Sequence, residues 1–131
     1  MKILNVLVRR HVPIAQFDVT VMFYERLFGE SARLRVDVAP RAHRIAQVSA
    51  MLIVGAAADQ LEAMREIGAA YLVEDLDAIA AVLRSMGAEL DGPAIDISTG
   101  RFVMVRHPDG MLVEYVEHRD KHPLDRLARE G

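Results

Sequence analysis

The chain contains no cysteine and no tryptophan among its 131 residues. The lack of cysteine excludes disulfides, thiolate metal ligands and cysteine nucleophiles. It also fits a reducing compartment, and we expect a cytoplasmic protein. The N-terminal stretch MKILNVLVRRHV is apolar only in short pieces, because Asn5, Arg9 and Arg10 interrupt it. It is therefore too short and too polar for a signal peptide or a membrane span, and it predicts a strand.

The sequence also lacks an excess of positive charge. Its 16 basic and 19 acidic residues give a net charge of −3, which argues against a nucleic-acid partner. The glycine patterns that cradle phosphates or dinucleotides are missing, and so is the serine elbow of hydrolases. With 52% hydrophobic residues, the chain predicts one globular domain, residues 1–131, with a substantial core.

The first half reads as a strand, a helix and about three further strands. Residues 2–12 are rich in valine and leucine, and the stretch FDVTVMFYERLFGE then changes to a helical period. Asp18 is placed to cap this helix and Gly29 to end it. The helical spacing is carried by Val19, Met22, Phe23 and Leu27. The aromatic residues expected in the core are Phe23, Tyr24 and Phe28.

The second half repeats this order of elements. AAYLVED predicts a strand, LDAIAAVLRSMG an amphipathic helix, and AELDGPAIDI, RFVMVRH and LVEYVEH three more strands. The repeat indicates a duplication with modules at residues 1–58 and 66–118. A linker that favours a short helix joins the modules, and residues 119–131 form a charged C-terminal tail.

The strand in HPDGMLVEYVEH carries one carboxylate, Glu114, between Val113 and Tyr115. Strand alternation places Glu114 on the face opposite these two neighbours. The carboxylate therefore lies either on a solvated face or in a cavity where it binds something. A buried carboxylate needs a partner such as Arg106 or the ligand itself.

Three segments, FYERLFGE, VEDLDAIAAVLRSMGAEL and RHPDGMLVEYVE, resemble the vicinal oxygen chelate superfamily, which includes glyoxalase I, extradiol dioxygenases and bleomycin resistance proteins. The resemblance covers residues 1–118. It implies an α+β fold in which two tandem βαβββ modules form a curved mixed sheet around a cup. It also implies a homodimer and, in the enzymes, a divalent metal in the cup.

The ligand positions of the family are only partly filled in this sequence. Glu114 matches the glutamate of the closing strand, whereas the two histidine positions fall on Asn5 and on Ala69 or its neighbour Gly68. With one matching ligand where a catalytic site needs about three, we expect no metal. Tyr71 is two residues from Ala69 and is expected on the same face.

These observations leave three hypotheses. The first is a binding protein that sequesters a small organic molecule without metal, with a cup lined by Asn5, Tyr71, Met104 and Glu114. The second is a divalent-metal-dependent lyase, isomerase or dioxygenase with a non-standard ligand set, and whether the protein is an enzyme stays open. That ligand set would be Glu114 with His11 and His43 or His118. The third is a partner domain without a small-molecule role.

Overall fold

The computed structural model describes residues 2–38 and 43–127. The strands are β1 (Ile3–Pro13), β2 (Leu34–Val38), β3 (His43–Val48), β4 (Met51–Ala56), β5 (Ile67–Val73), β6 (Glu89–Leu90), β7 (Ile95–Ile97), β8 (Gly100–Arg106) and β9 (Leu112–His118). The helices are α1 (Phe17–Phe28), α2 (Ala58–Met64) and α3 (Leu76–Ser85). The predicted α+β class and mixed sheet are confirmed, since β1–β4 and β5–β9 pair in parallel and the other strand pairs with a described register are antiparallel.

The described residues form two compact units. Residues 7–38 and 43–66 make up unit 2, in which the strand order is β2-β3-β4-β1. Residues 2–6 and 67–127 make up unit 1, with the order β1-β5-β9-β8-β6 and β7 paired to β8. The strand β1 therefore contributes residues to both units.

In unit 2, α1 packs on the sheet through Phe17 and Val21, which are fully buried. Gly55 on β4 makes room for this contact. A Cβ atom at Gly55 would lie 2.9 Å from Cδ1 of the Phe17 ring, closer than side-chain atoms normally approach. The Arg44 guanidinium lies 4.6 Å from the centre of the same ring, an arrangement that favours cation–π attraction.

The helix α1 was predicted correctly, but its buried face was not. Val19, Met22, Phe23 and Leu27 are 64, 56, 58 and 63% exposed, and Phe28 is also exposed. The aromatic prediction is therefore wrong for Phe23 and Phe28, while Tyr24 packs partly against the core. The reason is that α1 has apolar residues on two sides, and the side with Phe17 and Val21 meets the sheet.

The predicted C-terminal end of α1 is correct, but the predicted N-terminal cap is wrong. The Asp18 carboxylate does not cap the helix but pairs with the guanidinium groups of Arg35 and Arg44. The cap position is taken by Gln16, whose side chain makes no capping hydrogen bond. Gly29 ends the helix as predicted, with a left-handed φ of 67°.

In unit 1, α3 covers one face of the sheet with the apolar side that was predicted. The Asp75 side chain accepts a hydrogen bond of 3.1 Å from the Ala78 backbone N–H, which fixes the first turn. The buried residues of α3 are Leu76, Ile79, Ala80 and Leu83. They pack against strand residues that include Val103, Val105, Val113 and Tyr115.

The remaining segments follow the predictions more loosely. The linker forms the helix α2, and the predicted strand over AELDGPAIDI is divided into β6 and β7. The tail contains a short 3₁₀ turn at Pro123–Asp125, and its last four residues lie outside the described part of the chain. Among the described residues, no helix combines the length and the apolar character that a membrane crossing requires.

Candidate functional site

Glu114 lies at the centre of the sheet face of unit 1 that is turned away from α3, here named the Glu114 face. Its neighbours Val113 and Tyr115 are buried in the cluster under α3, so alternation turns Glu114 to the opposite side. In the register of the sheet, Glu114 stands beside Met104 of β8 on one side and Ala70 of β5 on the other. One carboxylate is thus flanked by two apolar side chains.

The surroundings of this carboxylate are largely apolar. The next row of the Glu114 face is formed by Leu72 and Val116, both buried, whereas Met104 and Glu114 are half-buried. Arg106 stands two residues from Met104 on β8, and one of its guanidinium N–H groups donates to the Gly110 carbonyl oxygen at 2.9 Å. The face therefore combines an apolar floor with one negative and one positive group.

Asn5 holds the C-terminal tail. Its side chain is 5% exposed, and its Nδ2 donates to the carbonyl oxygens of Leu124 at 2.9 Å and Arg126 at 2.7 Å. Its Oδ1 accepts a hydrogen bond from the Val6 backbone N–H at 2.9 Å. Both the nitrogen and the oxygen of the Asn5 amide are therefore hydrogen-bonded within the protein, and the two bonds from Nδ2 fix the position of residues 124–126.

His118 holds the same tail from the end of β9. It shares the face of Glu114 by alternation, and its Nδ1 lies 2.8 Å from Oδ1 of Asp125. Its ring stacks on that of His122 with the centres 4.0 Å apart. Burial lowers the pKa of His122, the charge of His118 lowers it further, and Asp125 partly opposes both. A cavity of about 530 Å³ adjoins the tail, lined by Leu4, Lys121, His122, Pro123, Asp125 and Arg126.

Tyr71 does not line the Glu114 face. It pairs with Tyr115 in the register, and both rings pack on the α3 side with their centres 5.2 Å apart. Ala69 shares that side, as alternation predicted, but the residue beside Glu114 is Ala70. The register between β5 and β9 is regular from Ala69 to Leu72, so Tyr71 lies on the side of Tyr115, and the alignment that placed the family histidine at Ala69 selected the wrong parity.

The aromatic cluster around Tyr115 has its own polar contact. The Tyr115 hydroxyl lies 2.7 Å from Nε2 of His107, which follows β8. Burial raises the pKa of Tyr115 to about 12, with a smaller contribution from Tyr71. Tyr115 is therefore neutral at physiological pH and serves as a hydrogen-bonding part of the core.

The residues around Glu114 do not fit a divalent metal. Ala70 and Met104, its cross-strand neighbours, offer no oxygen or imidazole ligand. His118 shares the face but lies four residues along the strand, about 13 Å away at 3.3 Å per residue, too far to bind the same ion. Within the described ranges 2–38 and 43–127, no three histidine, aspartate or glutamate side chains are arranged to hold a metal ion.

The other histidines of the alternative ligand set have partners inside unit 2. Nε2 of His11 accepts a hydrogen bond of 3.1 Å from Nε of Arg9, and Nε2 of His43 contacts Oε1 of Gln60. Burial, together with the charges of Arg9 and Arg10, lowers the pKa of His11 to about 4. His11 is therefore a neutral imidazole, and its Nε2 already accepts a hydrogen bond.

Unit 2 contains a buried polar residue that sequence reasoning missed. Gln47 on β3 is completely buried, and its Nε2 donates weakly to the Ser49 carbonyl oxygen at 3.4 Å. Its Oε1 has no hydrogen-bond partner among the described residues. The signal was available, because Gln47 interrupts an apolar strand as Glu114 does. The roles of His122 and Asp125 had no such signal, since they depend on where the tail folds.

The comparisons with known proteins agree with this fold. No family model and no curated protein matches the chain. An uncharacterized protein from Methanosarcina mazei is 33% identical, with a TM-score of 0.82 over 93% of this chain and 98% of its own. Methylmalonyl-CoA epimerase from Mycobacterium tuberculosis is 21% identical, with a TM-score of 0.65 over 90% of each chain. The Streptomyces coelicolor epimerase variant Q60A, in complex with 2-nitronate-propionyl-CoA, is 19% identical, with a TM-score of 0.63 over 92% of this chain and 99% of its own.

Proposed function

Because the chain belongs to the family of the uncharacterized Methanosarcina mazei protein and has the vicinal oxygen chelate fold of methylmalonyl-CoA epimerase, we propose that it is a small-molecule-binding protein of that superfamily. In this proposal the ligand binds on the Glu114 face without a divalent metal. The observation that carries the proposal is the half-buried carboxylate of Glu114 between Ala70 and Met104.

The chemistry of the face suggests the kind of ligand. Met104 is half-buried and offers an apolar side chain that adapts its shape to different partners, whereas Ala70 is 1% exposed and belongs to the buried apolar surroundings. Glu114 accepts hydrogen bonds and attracts positive charge. The ligand is therefore an organic molecule with an apolar body and a hydrogen-bond donor or cationic group directed at Glu114. Asn5 contributes indirectly, by holding the tail beside the face, and Tyr71 does not contribute.

A ligand screen with matched variants tests the proposal. Compounds, including coenzyme A thioesters because of the epimerase likeness, are first identified by the thermal shift of the wild-type protein. Their affinities are then measured for Glu114→Gln and for the control Glu89→Gln, an exposed glutamate of unit 1. Loss of a charged hydrogen bond costs about 1.5–3 kcal/mol, so Glu114→Gln should weaken binding roughly 10- to 100-fold while the control binds normally. Equal binding by all three proteins would contradict the proposal.

The enzyme hypothesis predicts a different result in the same preparation. After incubation with manganese, iron, nickel or zinc and dialysis, a metal-dependent enzyme retains stoichiometric metal that Glu114→Gln loses. Our proposal expects no retained metal, because the neighbours of Glu114 do not fit one. A protein that retains no metal and binds no compound would instead support the partner-domain hypothesis.

Three further expectations accompany the proposal. We expect a cytoplasmic protein, no nucleic-acid partner in view of the net charge of −3, and a homodimer.

A further inference from the structure

The cavity beside the C-terminal tail, here named the tail cavity, is built like a small-molecule site. Its volume of about 530 Å³ falls in the range of ligand pockets in proteins. Leu4 of β1 and Pro123 of the 3₁₀ turn supply apolar walls. Lys121, His122 and Arg126 bring nitrogen donors to the same space. Apolar walls with a few converging polar groups are the usual construction of a pocket that takes a small organic molecule.

We propose that the tail cavity binds a small organic carboxylate, with the carboxylate group held by Lys121 and Arg126 and the apolar body lying against Leu4 and Pro123. This site goes beyond the ligand site on the Glu114 face, because the described residues that line the tail cavity are not those of that face. The two sites also differ in charge, since Glu114 attracts a cation whereas the tail cavity attracts an anion.

The charges around the tail cavity favour an anion. The Lys121 ammonium and the Arg126 guanidinium both line it, and neither forms an ion pair with another residue of the ranges 2–38 and 43–127. Asp125 is the one carboxylate among the described lining residues, and its Oδ1 is already bonded to Nδ1 of His118. Two cations without a partner thus face the cavity. An arginine fork matches the two oxygens of a carboxylate, and a nearby lysine adds a second positive charge.

His122 adds an uncharged hydrogen-bond donor to the same cavity. Its Nδ1 accepts a hydrogen bond of 3.2 Å from the Leu124 backbone N–H. Because burial lowers the pKa of His122, the imidazole is neutral at physiological pH and its proton lies on Nε2. No residue in the described part of the chain accepts a hydrogen bond from this N–H, so it can donate to an oxygen of the ligand.

Two buried polar side chains hold the walls of the tail cavity in place. Asn5 is 5% exposed and donates to the carbonyl oxygens of Leu124 and Arg126. The His118 side chain is 4% exposed and bonds Asp125. A buried polar group costs free energy when its hydrogen bonds are lost, so both residues resist displacement of the tail. A cavity whose walls are already fixed loses little binding free energy to the ordering of a loop.

An NMR titration of the isotope-labelled full-length protein with hexanoate tests the proposal. Hexanoate has one carboxylate, a short apolar body and no cationic group, so it matches the tail cavity and not the ligand expected at Glu114. Shifts of the backbone N–H signals locate the site, and their dependence on concentration gives the Kd.

Matched double variants separate the site from the overall charge. Lys121→Gln with Arg126→Gln removes the two cations of the tail cavity. The control, Arg26→Gln with Arg84→Gln, removes two exposed arginines of α1 and α3 and changes the net charge by the same amount. All four positions are exposed, so both double variants should fold like the wild type.

The proposal expects saturable shifts around Leu4 and residues 121–126, with a Kd that rises at least tenfold in the tail double variant and stays unchanged in the control. Butanoate, which is shorter by two CH₂ groups, should bind roughly tenfold more weakly than hexanoate. Hexanamide, which has no charge, should cause no saturable shift.

Three results would overturn the proposal. The first is an equal Kd for the two double variants. The second is inorganic phosphate or butanoate binding as tightly as hexanoate, since the apolar walls would then contribute nothing. The third is a set of shifts confined to the Glu114 face, which would remove the tail site while leaving the proposed ligand site in place.

Discussion

The two helices that cover the sheets, α1 in unit 2 and α3 in unit 1, both come after a long strand in the chain order but differ in where their apolar residues lie. In α3, Leu76, Ile79 and Leu83 are all buried against the sheet. In α1, Phe17 and Val21 are buried, but a second apolar set faces solvent. Apolar residues at helical spacing thus pack in the core in α3, whereas in α1 those at Val19, Met22, Phe23 and Leu27 lie on the surface.

The difference shows that the apolar pattern of a helix does not by itself determine which side packs on the sheet. A helix needs only one apolar side to pack on a sheet, so a second apolar side calls for another partner. The start of α1 also has a weaker local signal than the start of α3, since the Gln16 side chain makes no capping hydrogen bond whereas that of Asp75 does. We therefore expect equivalent substitutions to have unequal effects in the two helices.

The largest difference is expected for Leu83→Ala in α3 and Leu27→Ala in α1. Leu83 is 6% exposed, and its truncation leaves a cavity that should lower the free energy of unfolding by about 3 kcal/mol. Leu27 is 63% exposed, so its truncation should change that free energy by less than about 0.5 kcal/mol within one copy. Urea unfolding measures both, in a Phe23→Glu background that removes any contribution of a dimer. Similar losses in both variants would show that the exposed and buried sides of α1 are wrongly assigned.

A smaller effect is expected for the pH dependence of the free energy of unfolding, and it comes from His11 in unit 2. The folded protein holds the pKa of His11 at about 4, below its ordinary value of 6.5. As the pH falls from about 6.5 to about 4, the unfolded chain takes up a proton at His11 that the folded protein does not. Stability is therefore lost over this window, by about 1–2 kcal/mol after allowance for the half-exposed position of the ring.

The comparison of wild type with His11→Asn isolates this contribution. Free energies of unfolding are measured between pH 4 and 7, and the variant should lose less stability on acidification than the wild type. Parallel pH profiles for the two proteins would mean that His11 titrates normally in the folded state.

The smallest effect is expected at the helix starts. Asp75→Ala removes the hydrogen bond to the Ala78 backbone and should cost about 1 kcal/mol, the usual value of a lost N-terminal cap. Gln16→Ala, at the matching position of α1, should have little effect because that side chain makes no capping bond. Thermal unfolding of the two variants compares them, and an equal decrease in Tm would argue against a difference in capping.

The sequence predicted the element order well, because hydrophobic period and turn residues act locally. Gly29 ends α1, and Val113 and Tyr115 pack under α3 while Glu114 does not, as alternation requires. The orientation of α1 was not predictable from the period, since a helix with apolar residues on two sides offers the sheet two equivalent choices.

The candidate site was harder to predict, because it depends on contacts between distant residues. Tyr71 was assigned to the wrong side because residue spacing does not determine how β5 is aligned with β9, and an alignment that is off by one residue turns every side chain to the opposite face. Asn5 was predicted to line a cup, and the sequence could not indicate that its side chain donates to the carbonyl oxygens of Leu124 and Arg126, about 120 residues along the chain. Met104 and Glu114 do lie side by side, and their role in binding stays a prediction.

Sedimentation equilibrium of the wild-type protein, Phe23→Glu and Met86→Glu tests most directly whether α1 and α3 differ in this way. If the expected homodimer packs through the exposed apolar side of α1, the wild type and Met86→Glu sediment with twice the mass of one chain at micromolar concentration, whereas Phe23→Glu sediments as a single chain. A wild type that stays a single chain at every concentration, or a Phe23→Glu variant that sediments like the wild type, would contradict it.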